Sequence, residues 1–239
     1  GVASAGKLTE KKSVAEIFIG GHGSPFVAQV SLANTGSLYK AIIDGLCYRG
    51  TAFFQVYTSC QPEHGVPDYA SQIQALKVRD CRGVPEFVFN PLLGESFPDA
   101  LNVKGNPNYM GDWFKRMAPV TKRTYIFTPA HWAFTEARFR LHHKPVSDEG
   151  VKDKILLEDL LMLITQDDVV HRRFLDPEHR SFIPDFGVYT IDHKNDGSTK
   201  AHLLSRQMVL FCVERRKAWR MLQSRAGIVN SDYAAQKES

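Results

Sequence analysis

Residues 26–58 read FVAQVSLANTGSLYKAIIDGLCYRGTAFFQVYT, and this stretch decides the fold of the chain. Its first seven and last eight residues are rich in Val, Phe and Tyr, which favour β-strands. Between them, Asn34 provides N-cap chemistry, and apolar residues then recur at helical spacing as far as Cys47. Two strands joined through a helix by short connections predict a right-handed crossover between parallel neighbours.

The alternation of helix and strand continues on both sides of this stretch. A short helix is predicted over residues 13–20, ahead of the first strand. A helix over residues 68–78 and a third strand over residues 85–90 are predicted after it. Residues 51–58 are apolar enough for a strand that is buried on both faces. We therefore expect residues 1–91 to form an α/β fold with a parallel sheet and helical crossovers.

The pattern changes after residue 91. Residues 92–111 are rich in Gly, Pro and Asn, lack periodicity and predict a long ordered loop. The remaining elements predicted by periodicity are helices over 129–141, 151–165 and 205–225 and strands over 124–128 and 186–191. We therefore expect two regions: residues 1–91 contain the sheet, and residues 92–239 form the long loop and a mixed, mainly helical extension.

The composition is that of a globular protein. Of the 239 residues, 43% are hydrophobic and 23% charged, which excludes a wholly disordered chain and a collagen-like repeat. No apolar run reaches the roughly 18 residues of a membrane-spanning helix, so we expect no membrane partner. The net charge is only +4, and the densest basic run, residues 215–225, lies at a predicted helix C-terminus. We therefore expect no nucleic-acid partner.

The four cysteines include no Cys-x-x-Cys pair and form no regular framework, which favours a reducing, cytoplasmic compartment. The strongest candidate for chemistry is Cys60, in the segment Tyr57-Thr-Ser-Cys-Gln-Pro-Glu-His-Gly65. It comes just past the predicted carboxyl end of the second strand, the edge at which open α/β sheets bind ligands. From the residues alone, Cys60 is a small buried residue, a nucleophile with His64 as its base, or a ligand of a metal or iron–sulfur cluster.

The other cysteines do not supply further ligands for a cluster at Cys60. Cys47 falls within the apolar stripe of a predicted helix, Cys81 lies in an Arg-rich turn, and Cys212 is on the core face of the last long helix. An iron–sulfur cluster typically takes four thiolates. A cluster at Cys60 would therefore draw its remaining ligands from outside this sequence.

Other ionisable clusters carry weaker signals. His131 and Glu136 are five residues apart, so one helical face would not present both to zinc, and the adjacent His142 and His143 point apart on a helix. We expect these histidines to cap helices or to face solvent. The acidic pairs, which are typical of helix caps, are Asp148-Glu149 and Asp167-Asp168.

Five segments carry a resemblance to a known family and occur in the family's order. They are Gly1-Val-Ala-Ser-Ala-Gly-Lys7 with Lys11-Lys12, Val27-Ala-Gln-Val30, Leu38–Cys47, Gly50-Thr-Ala-Phe-Phe-Gln-Val-Tyr-Thr-Ser-Cys60 and Ala75–Pro91. Over residues 1–91 the chain resembles the later part of the thiamine-diphosphate-binding domain of the pyruvate:ferredoxin (flavodoxin) oxidoreductases and related 2-oxoacid:acceptor oxidoreductases.

The resemblance implies an enzyme that oxidatively decarboxylates a 2-oxoacid, with pyruvate as the expected substrate. It implies thiamine diphosphate, Mg²⁺ and a [4Fe-4S] cluster as cofactors, and Cys60 as one ligand of the cluster nearest the thiamine. It further implies ferredoxin or flavodoxin as the electron acceptor, coenzyme A as a further candidate partner, and a homo-oligomer.

The chain departs from the family pattern in the motifs that hold the cofactors. The family's Gly-Asp-Gly and downstream Asn, which bind Mg²⁺ and the diphosphate, are missing, and Met110-Gly-Asp-Trp113 does not fit. The family's three other cluster cysteines lie upstream of the matched region and have no counterpart here. We therefore expect the C-terminal portion of a longer oxidoreductase, inactive as an isolated fragment. All three cofactors would then require residues of the remaining domains or subunits. The alternative is a non-catalytic assembly module derived from the same fold.

Overall fold

A computed structural model of the chain describes residues 12–21, 25–163, 187–194 and 196–238 as a mixed α/β structure. The first strands are β1 (Phe26–Ser31), β2 (Ala52–Tyr57), β3 (Phe87–Phe89) and β4 (Leu101–Asn102). They form one sheet in the order β2-β1-β3-β4. The helices of this part are α1 (Val14–Gly21), α2 (Thr35–Cys47), α3 (Gln61–His64), α4 (Ser71–Asp80) and α5 (Phe97–Ala100).

The predicted strand–helix–strand crossover is confirmed. β1 and β2 are parallel, with Phe26 opposite Ala52 at the start of the pair. α2 connects them, and Asn34 caps it, since its Oδ1 accepts a hydrogen bond from the Ser37 N–H at 3.0 Å. The short helix predicted ahead of β1 is present as α1.

The prediction of an all-parallel sheet is wrong for the third strand, because β3 runs antiparallel to β1, with Val88 opposite Ala28. α4 packs against the 3-10 helix Leu32–Asn34, which directly follows the carboxyl end of β1. The chain therefore enters β3 at that end of the sheet and runs in the opposite direction to β1. The sheet is mixed, and its parallel part among the described residues is the β1–β2 pair.

α2 lies on the sheet through its small residues. Ala41 and Gly45 are its buried positions, and Gly45 faces the rings of Phe26 and Phe54. A close approach of a helix to a sheet requires small side chains. Leu38 packs against the same core and is partly buried. The large apolar residues of α2 that are exposed are Tyr39, Ile43 and Leu46.

β2 is an edge strand of this sheet in the described part of the chain, so the prediction that it is buried on both faces is wrong. None of its residues is fully buried, and Val56 is 49% exposed. The sheet therefore presents an open edge next to the segment that contains Cys60.

The region after residue 91 contains helices and more strands than the sequence predicts. The prediction of one long loop over 92–111 is wrong, because this stretch contains α5 and β4, and β4 pairs with β3 in the first sheet. A hairpin pairs β5 (Phe114–Met117) with β6 (Thr124–Phe127). A second sheet, ordered β7-β10-β9-β8, contains β7 (His143–Val146), β8 (Ile155–Leu156), β9 (Val188–His193) and β10 (Thr199–Leu204). The helices are α6 (Pro129–Ala133), α7 (Leu157–Leu163), α8 (Arg206–Arg225) and α9 (Ser231–Glu238). No helix in the described ranges is long and apolar enough to cross a membrane.

Two of the predicted helices in this region are shorter than expected. The helix expected over 129–141 ends at Ala133, and a 3-10 helix follows at Ala137–His142. The helix expected over 151–165 is preceded by β8, which pairs with β9, and residues 164–186, with the pair Asp167-Asp168, lie outside the described residues. Short apolar runs fit a strand or a helix equally well, so pairing with a distant strand decides which of the two forms.

α8 is the predicted long helix, and it packs on both regions. Ser205 caps it, since its Oγ accepts a hydrogen bond from the Met208 N–H at 3.2 Å. Val209 near its start is buried with residues of the second region, whereas Trp219 and Leu222 near its end are buried with residues of β1 and β3. One helix therefore contributes to both cores, and the boundary expected at residue 91 stays a prediction.

Replacing Gly45 should weaken the packing of α2 on the sheet. A Cβ atom at this position would lie 2.3 Å from Cζ of Phe54 and 2.9 Å from the Phe26 ring. Overpacking of this kind costs about 1–3 kcal/mol. Gly36→Ala is the matched control on the same helix, because its nearest contact, Oδ1 of Asn34, is 3.6 Å away. Urea denaturation should show a lower midpoint for Gly45→Ala and not for Gly36→Ala. Equal midpoints would mean that α2 does not approach the sheet this closely.

Candidate functional site

Cys60 lies in the turn that leaves the carboxyl end of β2. Thr58 and Ser59 separate it from the strand, and it directly precedes α3. Its side chain is exposed to solvent, so the interpretation of Cys60 as a buried structural cysteine does not hold. An exposed thiol at this edge is available to a group that another part of the protein holds.

Hydrogen bonds fix the turn on both sides of Cys60. The hydroxyl of Ser59 donates to Oγ of Ser71 at 3.2 Å, and Nε2 of Gln61 donates to the same oxygen at 3.3 Å. Ser71 is the first residue of α4, so the turn is attached to that helix. α3 then ends at Gly65, whose φ of +64° lies in the left-handed region that glycine adopts without strain.

His64, the candidate base for Cys60, turns into the protein. It is buried, and its Nδ1 lies 3.6 Å from Oε1 of Glu136, whose Oε2 accepts a hydrogen bond from Nε of Arg138 at 2.6 Å. Burial raises the pKa of Glu136, and the Arg138 guanidinium opposes that shift. Because the His64 imidazole faces Glu136 while the Cys60 thiol is exposed, the geometry does not favour a nucleophile–base pair between them.

The buried polar group around His64 also includes the last residue of β2. Burial raises the pKa of the Tyr57 hydroxyl well above its usual value, and the nearby Glu136 carboxylate raises it further. Trp132 of α6 also lies near Glu136 and opposes the rise in the pKa of that carboxyl. Tyr57, His64 and Glu136 therefore bring the end of β2, α3 and the segment after α6 close together.

The other cysteines divide into buried and exposed thiols. Cys212 is buried on the core face of α8, as predicted, and Cys81 is buried just after α4. Burial raises the pKa of both thiols, that of Cys212 to about 12. Cys47 is exposed rather than part of an inward stripe, because α2 packs through its small residues. Within the described ranges, no three His, Cys, Asp or Glu side chains are arranged to hold a metal ion. Of the two exposed thiols, Cys60 is the one that lies just past the carboxyl end of a strand, and it is the candidate cluster ligand.

The structure separates the residues weighed as zinc ligands. Glu136 belongs to the buried group around His64, whereas His131 caps α6, as expected for a capping histidine. Nδ1 of His131 accepts a hydrogen bond from the Thr128 N–H at 3.1 Å, which requires that nitrogen to be unprotonated. Burial lowers the pKa of His131 to about 3, so the imidazole is neutral.

Besides the Cys60 turn, the structure contains a concave site that cannot be predicted from the sequence. It is a cleft of about 380 Å³ between α4, the β5–β6 hairpin, α6 and β9. Its lining comes from segments far apart in the chain, so no local pattern points to it. A partial signal is the cross-strand pair of Arg116 and Tyr125, which places a cation and a ring side by side in the hairpin.

No model of a known protein family matches the chain, and no curated protein matches its sequence. A functional proposal therefore depends on the geometry of these sites and on the resemblance over residues 1–91.

The buried histidines should make the fold sensitive to acid. Burial lowers the pKa of His131 to about 3 and that of His202 to about 4, whereas an unfolded chain titrates near 6.5. Between these values the unfolded state binds more protons than the folded state. Stability is therefore lost as the pH falls from about 6.5 toward 4, with a slope of up to about 1.4 kcal/mol per pH unit for each histidine.

His202→Leu removes one of these titrations. Urea denaturation at about pH 7.5 and about pH 5 should show a smaller loss of unfolding free energy in the variant than in the native protein, by about 1–2 kcal/mol. Equal losses in the two proteins would mean that His202 titrates normally in the folded state.

Proposed function

We propose that this chain is the C-terminal portion of a 2-oxoacid:ferredoxin or flavodoxin oxidoreductase, with pyruvate as its expected substrate, in which Cys60 is a ligand of a [4Fe-4S] cluster. The observation that carries the proposal is the exposed thiol of Cys60 just past the carboxyl end of β2, the parallel partner of β1. Open α/β sheets place their ligands at this edge. The assignment of the mixed sheet to a thiamine-diphosphate-binding fold belongs to the same proposal.

The surface beside Cys60 supports packing against further protein. Among the described residues, β2 is an edge strand with Val56 exposed, and the exposed large apolar residues of α2 lie on one helical face. The exposed fractions of Tyr39, Ile43 and Leu46 are 67%, 61% and 76%. An unpaired strand edge next to an exposed apolar stripe is typical of a surface that another protein covers. The expected occupants are the remaining domains or subunits of the oxidoreductase.

The described residues offer the exposed Cys60 thiol to a cluster and no group of metal ligands for Mg²⁺. A [4Fe-4S] cluster at Cys60 would accept the electrons of the oxidation one at a time, with its other thiolates supplied by the rest of the oxidoreductase. No group of His, Cys, Asp or Glu side chains in the described ranges suits Mg²⁺. We therefore assign no residue of this chain to Mg²⁺ or thiamine diphosphate.

The task of this chain at the cluster is to hold the Cys60 sulfur in place. Ser71 binds the side chains of Ser59 and Gln61, one on each side of Cys60, and so fixes the turn to α4. Groups that hydrogen-bond around a metal ligand set its orientation. The left-handed Gly65 ends α3 within one turn and keeps the segment short.

Cys60→Ser should remove the cluster from the full-length protein purified without oxygen. Iron and labile sulfide should fall by the content of one cluster, and the electron paramagnetic resonance signal of that cluster should be lost. Cys47→Ser is the matched control, because Cys47 is also exposed but lies at the end of α2. The Cys47→Ser variant should retain the iron and sulfide of the cluster and its resonance signal. Unchanged iron, sulfide and resonance signal in Cys60→Ser would refute the role of Cys60.

The exposed stripe of α2 also favours a second candidate function, a non-catalytic assembly module that uses the same surface to bind its partner. Calorimetry of the full-length protein with thiamine diphosphate and Mg²⁺ separates the two candidates. A saturable heat of binding supports the oxidoreductase and excludes the assembly module as the function. No heat, in a protein that still assembles, supports the module and contradicts the oxidoreductase.

A further inference from the structure

The cleft between α4, the β5–β6 hairpin, α6 and β9 has no part in the proposed function. Its volume of about 380 Å³ falls within the range of small-molecule sites, roughly 300–1,000 Å³. Cations line it, among them Lys77 of α4 and Arg116 of β5. Rings also line it, among them Tyr125 of β6 and His193 of β9. Cations next to planar rings are the chemistry that recognises an aromatic anion.

The positive charges at the cleft exceed the negative ones. Nη2 of Arg116 binds Oδ2 of Asp80 at 3.0 Å, but Arg79 binds the other oxygen of the same carboxylate at 2.8 Å. Two guanidinium groups therefore share one carboxylate. The charge of Lys194 is balanced by a different carboxylate, since its Nζ lies 2.5 Å from Oδ2 of Asp192.

Among the described residues, Lys77 is a lining cation with no carboxylate partner. The Asp192 carboxylate lies near enough to act on it, but that group binds Lys194. The Lys77 ammonium forms no hydrogen bond or ion pair within the part of the chain that the structure describes, and the nearby Glu136 is bound by Arg138. Burial lowers the pKa of Lys77, and the neighbouring Arg116 lowers it further. Its charged form is thus disfavoured where it stands, and an anion between Lys77 and Arg116 would stabilise it.

The rings at the cleft are planar and positioned by mutual contacts. The Tyr125 ring stacks on the His193 ring with centroids 4.2 Å apart and an interplanar angle of 26°. The neutral His131 ring lies 5.4 Å from the Tyr125 ring. The Arg116 guanidinium lies 3.6 Å from the centroid of Phe127, which restrains it beside the rings. A ligand ring can therefore stack next to a fixed cation.

We propose that this cleft binds a phosphate monoester that carries a planar ring and has the size of a mononucleotide. The phosphate lies between Lys77 and Arg116, and the ring packs against Tyr125 and His193. A phosphate monoester carries more than one negative charge at neutral pH. Among the described residues, the site has an ammonium with no ion-pair partner and a guanidinium that shares its carboxylate with Arg79. A phosphate monoester therefore balances its charge better than a ligand with one carboxylate does. This site is independent of the role given to Cys60.

Calorimetry of the full-length protein tests the two halves of the ligand separately. Adenosine 5′-monophosphate carries both, adenosine lacks the phosphate, and ribose 5-phosphate lacks the ring. The complete nucleotide should give a saturable heat, and each partial ligand should bind at least about tenfold more weakly than the nucleotide. Equal affinity of either partial ligand would overturn recognition of both groups. No heat from the nucleotide at millimolar concentration would overturn the site.

Matched variants test the placement of each group. Lys77→Met should weaken binding of the nucleotide about tenfold, because a charge-assisted contact is lost. Lys115→Met should bind as the native protein does, since Lys115 neighbours Arg116 but is exposed outside the cleft. Equal affinities of these two variants would overturn the placement of the phosphate.

The ring contact is tested by a second pair that does not involve Lys77. Tyr125→Phe keeps the ring and should preserve the affinity, whereas Tyr125→Leu should lower it several-fold. Thermal unfolding of each variant, measured beforehand, confirms that it is folded. Equal affinities of the two Tyr125 variants would contradict stacking in the cleft.

Discussion

The contact between Arg82 and Trp219 holds the parts of the chain on which both candidate sites depend. The Arg82 guanidinium lies 4.3 Å from the centroid of the Trp219 ring and donates hydrogen bonds to the carbonyl oxygens of Pro107 and Asn108. The Trp219 indole donates to the carbonyl oxygen of Gly111 at 2.9 Å. Burial lowers the pKa of Arg82 to about 10, so the side chain stays charged at neutral pH. A buried charge requires hydrogen-bond partners, and these partners tie the end of α4, the loop after β4 and α8 into one arrangement.

α4 ends next to this contact and connects it to both sites. Its first residue, Ser71, holds the turn that contains Cys60, and Lys77 in its middle faces the cleft. Its last residue, Asp80, binds the guanidinium of Arg116. Because these groups stand on one helix, a shift of α4 would move the support of the Cys60 turn and the cation of the cleft together. The chain departs through Arg82 with a φ of +61°, which turns it into β3.

The sequence predicts the helices whose first residues are set by N-capping side chains close in the chain. Asn34 provides the N-cap chemistry that marks the start of α2 in sequence and in structure. The helix predicted from residue 205 begins as α8 just after that residue, which caps it. The direction of β3 cannot be predicted in this way, because it depends on where α4 packs. Which face of α2 is buried cannot be predicted from local hydrophobicity either, because that face consists of Ala41 and Gly45 and not of the most hydrophobic residues. Cys60 could be selected because a strand end and a polar loop are local features, whereas the cleft is assembled from distant segments.

The two edges of the first sheet differ in a way that bears on Cys60. The β4 edge has two residues, of which Leu101 is buried, and the exposed Lys104 follows it, features that disfavour pairing with another strand. The β2 edge is longer and carries the exposed Val56, with the apolar stripe of α2 beside it. Burial of apolar surface is favourable by roughly 25 cal/mol per Å², and the exposed Val56 and the α2 stripe provide such surface at the β2 edge. The edge that favours further packing is thus also the edge beside which Cys60 lies. The proposed oxidoreductase accounts for both features, since further protein would cover the β2 edge and supply the remaining ligands at Cys60, whereas the assembly module accounts for the exposed edge alone.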